Sequence, residues 1–175
     1  MLDETIVTAI PPLSGAYGKV GAPIEVPIEG SHSERRVLHA ALNIRTGAVL
    51  LWITEEWVKE THQAFLKQIR SYWRGWNIVL FEDKGSPHTA GDSMRLAIAL
   101  GFQLRFLPTA TPELNAVDQL WRRVKQEVLA NRGGRTVDEA MEALAQWILS
   151  LSPKERLRKA GILSPSFWLQ PPFSL

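Results

Sequence analysis

The sequence predicts an α/β domain with a mixed sheet, and two observations lead to this prediction. Apolar, β-prone runs at 35–44, 48–54, 77–81 and 102–107 are followed or separated by segments of helical periodicity. The run 77–81 is apolar on both faces, as expected for a strand of a parallel sheet that helices cover on each side. Because no repeat or linker divides the 175 residues, one domain is expected over 1–175.

The composition excludes several classes of protein. Hydrophobic residues make up 45% of the chain and charged residues 22%, which is typical of a folded globular protein and not of a disordered one. Cysteine is absent, so disulfides and cysteine-ligated zinc sites are excluded. No apolar run reaches the ~18 residues of a membrane span, and no secretory signal is visible. A cytoplasmic protein without membrane contact is therefore expected.

The individual elements follow from turn signals and periodicity. Pro, Gly and Ser predict a loop over 11–33, and Arg45-Thr46-Gly47 predicts the turn of a hairpin between the first two strands. Helices are predicted over 55–73, 90–101, 111–131, 136–150 and 153–161. Core or helix-seam positions are predicted for Trp52, Trp73, Trp76, Trp121 and Trp147, and stacking on DNA or packing on a second subunit is the alternative. The apolar, proline-broken tail 164–175 is expected to lie on its own core or to cross onto a partner chain.

Two of these helices carry clear start signals. Thr111 is predicted as an N-cap with Pro112 at the first helical position. Thr136 and Glu139 have the spacing of a capping box.

Asp118 lies where the apolar face of the predicted helix 111–131 meets its polar flank. The apolar arc consists of Leu114, Val117, Leu120, Trp121, Val124 and Val128. An ion pair with Arg122 at i,i+4 is sufficient to explain a carboxylate at this edge. Taken alone, Asp118 does not indicate a site.

A second carboxylate, Asp83, follows directly on the buried strand. Ligands of open α/β sheets lie at the carboxyl ends of strands, so an acid at this position is a candidate site residue. A turn Asp that caps the next helix is the alternative. Glu82 is expected to point to the opposite side, because side chains alternate along a strand. Asp3, close to the amino terminus, is a third acid that is uninformative by itself.

Three acids from separate elements repel one another and are stable together chiefly around a divalent cation. Oxygen ligands without cysteine favour Mg²⁺ or Mn²⁺ over zinc. A pair of such ions clamps the attacking and leaving oxygens of a phosphodiester. Glycoside hydrolysis is the rival chemistry for paired carboxylates, and the neighbouring Arg and Lys residues favour phosphate over sugar.

Two segments carry a family resemblance. "VLFEDKGSPHT" (79–89) and "FLPTATPELNAVDQLWRRVK" (106–125) resemble the catalytic core of DDE transposases, most closely the mariner-like superfamily with its related bacterial insertion-sequence enzymes. Residues 84–117, 34 in number, separate the second acid from the third, a spacing typical of this group. "LDET" resembles the motif of the first acid.

The resemblance implies an RNase H-like fold, in which an antiparallel hairpin lies beside parallel strands and helices flank the sheet. It implies Asp3, Asp83 and Asp118 as catalytic residues that coordinate two Mg²⁺ (or Mn²⁺) ions. The implied reaction is cleavage and strand transfer of DNA during transposition of an insertion sequence. A nucleoid-associated protein is then expected if the source is bacterial.

Further roles follow from the matched motifs. His88, Asn115 and Glu4 are expected to support the site, His88 either near the metals or phosphate or by a hydrogen bond that orders its loop. Contacts to the DNA backbone are expected for Arg122, Arg123, Lys125 and Lys84. Pairing with Asp118 or simple exposure is the alternative for these cations.

Some features depart from the family pattern. Lys84 stands where Asn is usual, and Ala116 stands where Pro is usual. The family's amino-terminal helix-turn-helix region has no counterpart in the sequence, and the first strand is expected to be truncated. Expected partners are DNA, a second copy or a higher assembly on DNA, and a separately encoded amino-terminal DNA-binding part. The alternative function is a non-catalytic core that binds DNA or a partner without cutting.

Overall fold

The computed structural model describes residues 1–21, 25–26, 34–133 and 135–169, which form strands and helices in mixed order. The strands are β1 (Leu2–Thr8), β2 (Arg35–Leu42), β3 (Val49–Thr54), β4 (Ile78–Glu82) and β5 (Phe102–Phe106). The α-helices are α1 (Lys59–Tyr72), α2 (Ser86–Thr89), α3 (Gly91–Ala99), α4 (Ala116–Val124), α5 (Val137–Ser150) and α6 (Pro153–Lys159). A 3₁₀ turn (Pro112–Leu114) precedes α4, and a π-helical segment (Lys125–Leu129) continues it. The predicted α/β class is confirmed.

The strands form two ladders. β1, β2 and β3 are antiparallel, with Asp3 opposite Ala40, and β4 and β5 are parallel. No hydrogen-bonded ladder joins β1 to β4 within the described ranges. An apolar groove of about 250 Å³ separates the end of the hairpin, 42–45, from β4. Asp3 nevertheless lies inside a paired strand, because the amide of Leu42 donates to the carbonyl of Met1 (2.9 Å).

Helices cover the three-stranded sheet on both faces, and each face has its own core. On β2, Leu38, Ala40 and Leu42 pack against α4 and α5. Ala41 on the opposite face packs against α1 and β4. The larger cluster includes the buried side chains Val117, Leu120, Val124, Leu144 and Ile148, and the smaller one Leu2, Phe65, Leu66, Ile69 and Leu80. Burying apolar surface on both faces contributes roughly 25 cal/mol per Å² to folding and holds the helices against the sheet.

The start of α4 differs from the sequence prediction. Thr111 is not its N-cap, because its hydroxyl donates to the carbonyl of Pro108 (2.7 Å) and Pro112 opens only the short 3₁₀ turn. Asn115 caps the helix instead, and its side-chain oxygen accepts from the amide of Val117 (3.1 Å). The capping box of Thr136 and Glu139 is confirmed at the start of α5.

The tryptophan prediction is wrong at one position. Trp76 follows the turn at Gly75 and is 52% exposed, because it lies between α1 and β4 and belongs to neither. Trp121 is buried, and Trp52, Trp73 and Trp147 are half-buried against the two cores, as predicted. Parts of the predicted loop 11–33 and the end of the tail, 170–175, lie outside the described residues.

The helices of the described part of the chain include none with the length and apolarity needed to cross a bilayer.

Gly47→Ala is expected to lower the free energy of unfolding. The loss should exceed the cost of placing alanine in a left-handed backbone conformation. Gly47 has φ +73°, and an added Cβ would lie 2.2 Å from the carbonyl oxygen of Pro153, which is backbone and cannot rotate away. The left-handed conformation alone costs about 1–2 kcal/mol for a residue with a Cβ. Gly75→Ala is the matched control, since Gly75 has φ +80° and open space around it. Equal losses of unfolding free energy in urea for the two variants would contradict this account.

Candidate active site

The three motif acids lie around one cavity. Asp3 comes from β1, Asp83 follows β4, and Asp118 lies in α4, and all three line an open cavity of about 400 Å³. The loop 107–112, together with Lys84, Gly85 and Asn115, forms the rest of the wall. The structure therefore brings together the three acids that the motifs had predicted from distant parts of the chain.

This arrangement disfavours the ionised form of Asp3. Burial raises the pKa of its carboxyl to about 8, and repulsion by Glu4, Asp118 and Asp83 adds to the effect. The acids are close enough to influence one another, and a divalent cation among them would relieve this repulsion.

The position of Asp118 depends on the cap of α4. Asn115, which is 3% exposed, donates from Nδ2 to the carbonyl of Leu2 (3.0 Å) while it caps the helix. This contact ties the first turn of α4, which contains Asp118, to the residue before Asp3. Asn115 thus supports the geometry of the first and third acids together.

The expected ion pair of Asp118 is also present. Arg122 Nε lies 2.9 Å from Asp118 Oδ2. The contact lacks hydrogen-bond geometry, and Oδ2 is otherwise buried without a hydrogen-bond partner among the described residues. The ion pair is weak, since the Arg122 side chain is 58% exposed and such pairs contribute about 0–1 kcal/mol. The ion pair therefore adds little to the stability of the fold.

Asp83 is held from both sides by its own loop. His88 Nδ1 lies 2.6 Å from Asp83 Oδ1, and the amide of Gly85 donates to the same oxygen (2.8 Å). These bonds, that of His88 first, hold the pKa of Asp83 below its usual value. A Cβ at Gly85 would lie 3.0 Å from this oxygen, so the close turn favours glycine. His88 orders this loop through a hydrogen bond, one of the two roles expected for it.

Behind Asp83, the buried Glu4 lies at the centre of three imidazoles. Its carboxylate is 3.0 Å from His88 Nε2 and 3.3 Å from His39 Nδ1, and His62 Nδ1 is 3.9 Å away. Burial opposes the ionised form, but the hydrogen bonds of His39 and His88 and the nearby His62 imidazole outweigh it and hold the pKa of Glu4 well below its usual value.

The same network acts on His88 and Glu82. Burial alone would lower the pKa of His88, but its bonds to Asp83 and Glu4 outweigh burial and raise it to about 11. Glu82 is 1% exposed and faces away from the cavity, as alternation predicted, and burial raises its pKa to about 7. His39 and His62 were missed by the sequence analysis. Their positions on the inward faces of β2 and α1 could have indicated that both histidines are buried. Their contacts with Glu4 become visible only in the folded structure.

The predicted DNA-contacting cations differ in availability. Lys84 and Arg123 are exposed, and Lys84 lines the cavity. Lys125 is half-buried, its Nζ donates to the carbonyl of Ile6 (3.4 Å), and burial lowers its pKa. Lys125 is therefore partly engaged within the fold, whereas Lys84 and Arg123 point to solvent.

The sequence itself identifies a family. The profile of the DDE superfamily endonucleases matches residues 1–140, most of the chain. The chain belongs to this family. No curated protein is similar to it in sequence at a significant level.

Solved DDE transposases share the fold. The Mos1 transposase paired-end complex with the left transposon end has a TM-score of 0.72 at 14% identity, over 91% of this chain and 50% of that one. The Mos1 strand transfer complex has a TM-score of 0.72 at 14% identity, over 91% of this chain and 49% of that one. The catalytic domain of Mos1 mariner transposase has a TM-score of 0.62 at 13% identity, over 91% of this chain and 74% of that one. The chain thus spans about half the length of the transposases in these complexes, and the RNase H-like fold is confirmed.

Asp3→Asn is expected to stabilise the metal-free protein at pH 8 and to change little near pH 4. Because the pKa of Asp3 is about 8 in the folded state against 3.8 as the ordinary value, folding keeps a proton that the unfolded chain releases, so stability falls as pH rises between these values. The gain is a few kcal/mol, at about 1.4 kcal/mol per pKa unit. Urea unfolding in EDTA at both pH values measures it.

Asp83→Asn provides a control of opposite sign. The pKa of Asp83 is lowered, so its ionised form stabilises the fold and the Asn variant should lose stability at pH 8. This deficit should shrink as pH falls through the folded pKa. A parallel response of the two variants to pH would contradict the assigned charge states.

Proposed function

We propose that this DDE superfamily chain is the catalytic part of a transposase that cleaves DNA phosphodiester bonds and transfers the cut strand. The convergence of Asp3, Asp83 and Asp118 on one open cavity is the observation that carries the proposal. The family match and the likeness to Mos1 transposase complexes agree with it. The three acids were predicted from motifs 35 or more residues apart, so their meeting is not a consequence of local sequence.

The three carboxylates fit a divalent cation as ligands. The three carboxylates offer hard oxygen donors, and burial together with the acidic neighbours disfavours the ionised form of Asp3, a cost that a bound cation would offset. We propose Mg²⁺ or Mn²⁺, two ions in all, and Mos1 paired end complexes have been solved with each of these metals. Bound there, the ions would lower the pKa of a nucleophilic water and offset charge on the leaving oxygen.

The surrounding residues keep the acids aimed at the cavity. Asn115 links α4 to β1, while His88 and Gly85 fix the carboxylate of Asp83. Glu4 in turn accepts from His88, so it supports Asp83 through one intermediate. None of the three supporting residues predicted from the sequence, Glu4, His88 and Asn115, needs to contact DNA for this role.

DNA is the proposed partner, and the chain would meet it at the cavity mouth. Lys84 and Arg123 are exposed and are the cations that we propose to contact phosphates; Arg122 would join them on release from Asp118. Assembly as a dimer or larger complex on DNA, and a separately encoded part for end recognition, remain part of the proposal. So does a nucleoid-associated location in a bacterial cell.

Asp83→Asn is expected to abolish Mg²⁺- or Mn²⁺-dependent nicking of DNA while the fold is retained. In the wild type, Mg²⁺ should raise the melting temperature, because it relieves repulsion among the three acids, and this rise should disappear in the variant. Asp92→Asn is the matched control, an acid on α3 that is 56% exposed and remote from the cavity wall. Nicking that survives in Asp83→Asn would refute the site. A folded wild type without any response to Mg²⁺ would favour the non-catalytic core.

Arg123→Ala and Lys84→Ala are each expected to weaken DNA binding to a similar degree for all sequences. Loss of one phosphate contact should reduce the slope of log K against log salt by about one. Lys67→Ala is the control, since Lys67 is exposed on α1, away from the cavity. Fluorescence anisotropy with oligonucleotides at several salt concentrations gives the slope. An unchanged slope for both variants would show that the DNA lies elsewhere.

A further inference from the structure

We propose that Glu4, His62 and His88 form a second metal site, which binds a transition-metal ion of the Zn²⁺ class behind the acidic cavity. One donor atom from each residue lies within 4.8 Å of the others. The three side chains are 5%, 1% and 1% exposed, so the site is closed, unlike the open acidic cavity. They come from β1, α1 and α2, which places the site at the junction of three elements.

His62 is the observation that requires an explanation beyond hydrogen bonding. Its Nδ1 has no hydrogen-bond partner among the described residues, although the side chain is buried. It points toward Glu4 Oε1 at 3.9 Å, which is too long for a hydrogen bond. A buried polar atom without a hydrogen-bond partner destabilises the fold, and a cation between the imidazole and the carboxylate would satisfy both groups.

The outer nitrogens of the two histidines face carboxylates, as those of metal-bound histidines commonly do. His88 Nδ1 lies 2.6 Å from Asp83, and His62 Nε2 lies 3.7 Å from Glu82 Oε2. A carboxylate behind a ligating imidazole fixes the tautomer and orients the ring toward the metal. The hydrogen bond to Asp83 therefore sets the His88 ring to present Nε2 toward Glu4, whereas His62 Nε2 lies beside Glu82 beyond hydrogen-bond distance.

The size of the gap also suits a small ion. Three donors up to 4.8 Å apart leave a central point within roughly 3 Å of each, and Zn–N and Zn–O bonds measure about 2.0–2.2 Å. Modest side-chain rotations therefore close the site. By contrast, ordinary hydrogen bonds account for His39, whose Nε2 lies 2.9 Å from Thr54 Oγ1. We leave His39 outside the ligand set.

The donor types distinguish this site from the acidic cavity. Two imidazoles and one carboxylate suit Zn²⁺ and related first-row metals, whereas Mg²⁺ prefers oxygen ligands and retains several waters. A dry site with two nitrogen donors should thus exclude Mg²⁺. His88 connects the two sites, since it would ligate the ion through Nε2 and donate from Nδ1 to Asp83. The role that we assign to the ion is to hold His88, and with it the second acid, in place.

Zinc binding by the chelator-treated protein tests the proposal. Titration with Zn²⁺, followed by elemental analysis after gel filtration, is expected to give one tightly held equivalent that millimolar Mg²⁺ does not displace. Co²⁺ as a probe should show the visible absorption of a nitrogen-ligated site, and it should quench Trp57, whose ring is 5.8 Å from that of His88. Absence of a stoichiometric equivalent in the folded wild type would overturn the proposal.

Variants assign the ligands and separate this site from the catalytic one. His62→Gln should weaken Zn²⁺ binding by more than about 100-fold, since loss of even an outer partner costs 10–100-fold. Two controls should still bind one equivalent of Zn²⁺. His39→Gln changes an equally buried histidine outside the ligand set. Asp118→Asn changes an acid of the cavity, so it should lose nicking and keep Zn²⁺. Should His62→Gln fail to fold, Glu4→Gln takes its place with circular dichroism as the check. Unchanged Zn²⁺ binding in His62→Gln or Glu4→Gln would overturn the assignment of the ligands. Loss of Zn²⁺ binding in Asp118→Asn would overturn it as well.

Discussion

The arrangement of the acids depends on the buried side chain of Asn115, which connects α4 to β1. It caps α4 through Val117 and reaches Leu2 on β1 through its amide nitrogen. A helix cap orients the first turn, and a bond to a neighbouring strand fixes where that turn lies. Because Asp118 is in this first turn and Asp3 follows Leu2, one side chain sets the relative position of two acids from opposite ends of the motif. The apolar face of α4 then holds the helix against the sheet.

Strand alternation explains why the chain can place so much charge around β1. Asp3 faces the acidic cavity, and Glu4 faces the opposite side, where three imidazoles surround it. His88 joins the two sides, since it contacts both Glu4 and Asp83. The environment thus pushes the pKa values of two cavity acids apart, upward for Asp3 and downward for Asp83. Such divergence is typical of functional sites, where burial and partners are arranged around ionisable groups.

The sequence was sufficient for the fold class, most elements and the three acids, but not for how the acids are held. Strand ends and motif spacing predict Asp83 and Asp118 because both signals are local. The role of Asn115 as cap was missed because the Thr111–Pro112 pair is the stronger local signal, and only contacts with β1 show that the helix begins later. The network around Glu4 could not be predicted, since β2 and β3 separate His62 on α1 from Glu4 on β1 along the chain. Trp76 was misplaced because periodicity does not show where a helix leaves the core.

The two departures from the family motif leave the supports of the site in place. Ala116 occupies the first position of α4, where its buried methyl group packs in the core and Asn115 caps the helix without help from a proline. Lys84 is exposed at the cavity, while the hydrogen bonds of Asp83 come from Gly85 and His88. A chain that only needed to fold would gain stability by losing the buried carboxyl of Asp3, whose pKa near 8 marks an unrelieved cost. A cation bound among the three acids would offset that cost, which agrees with the metal site that we propose at the cavity.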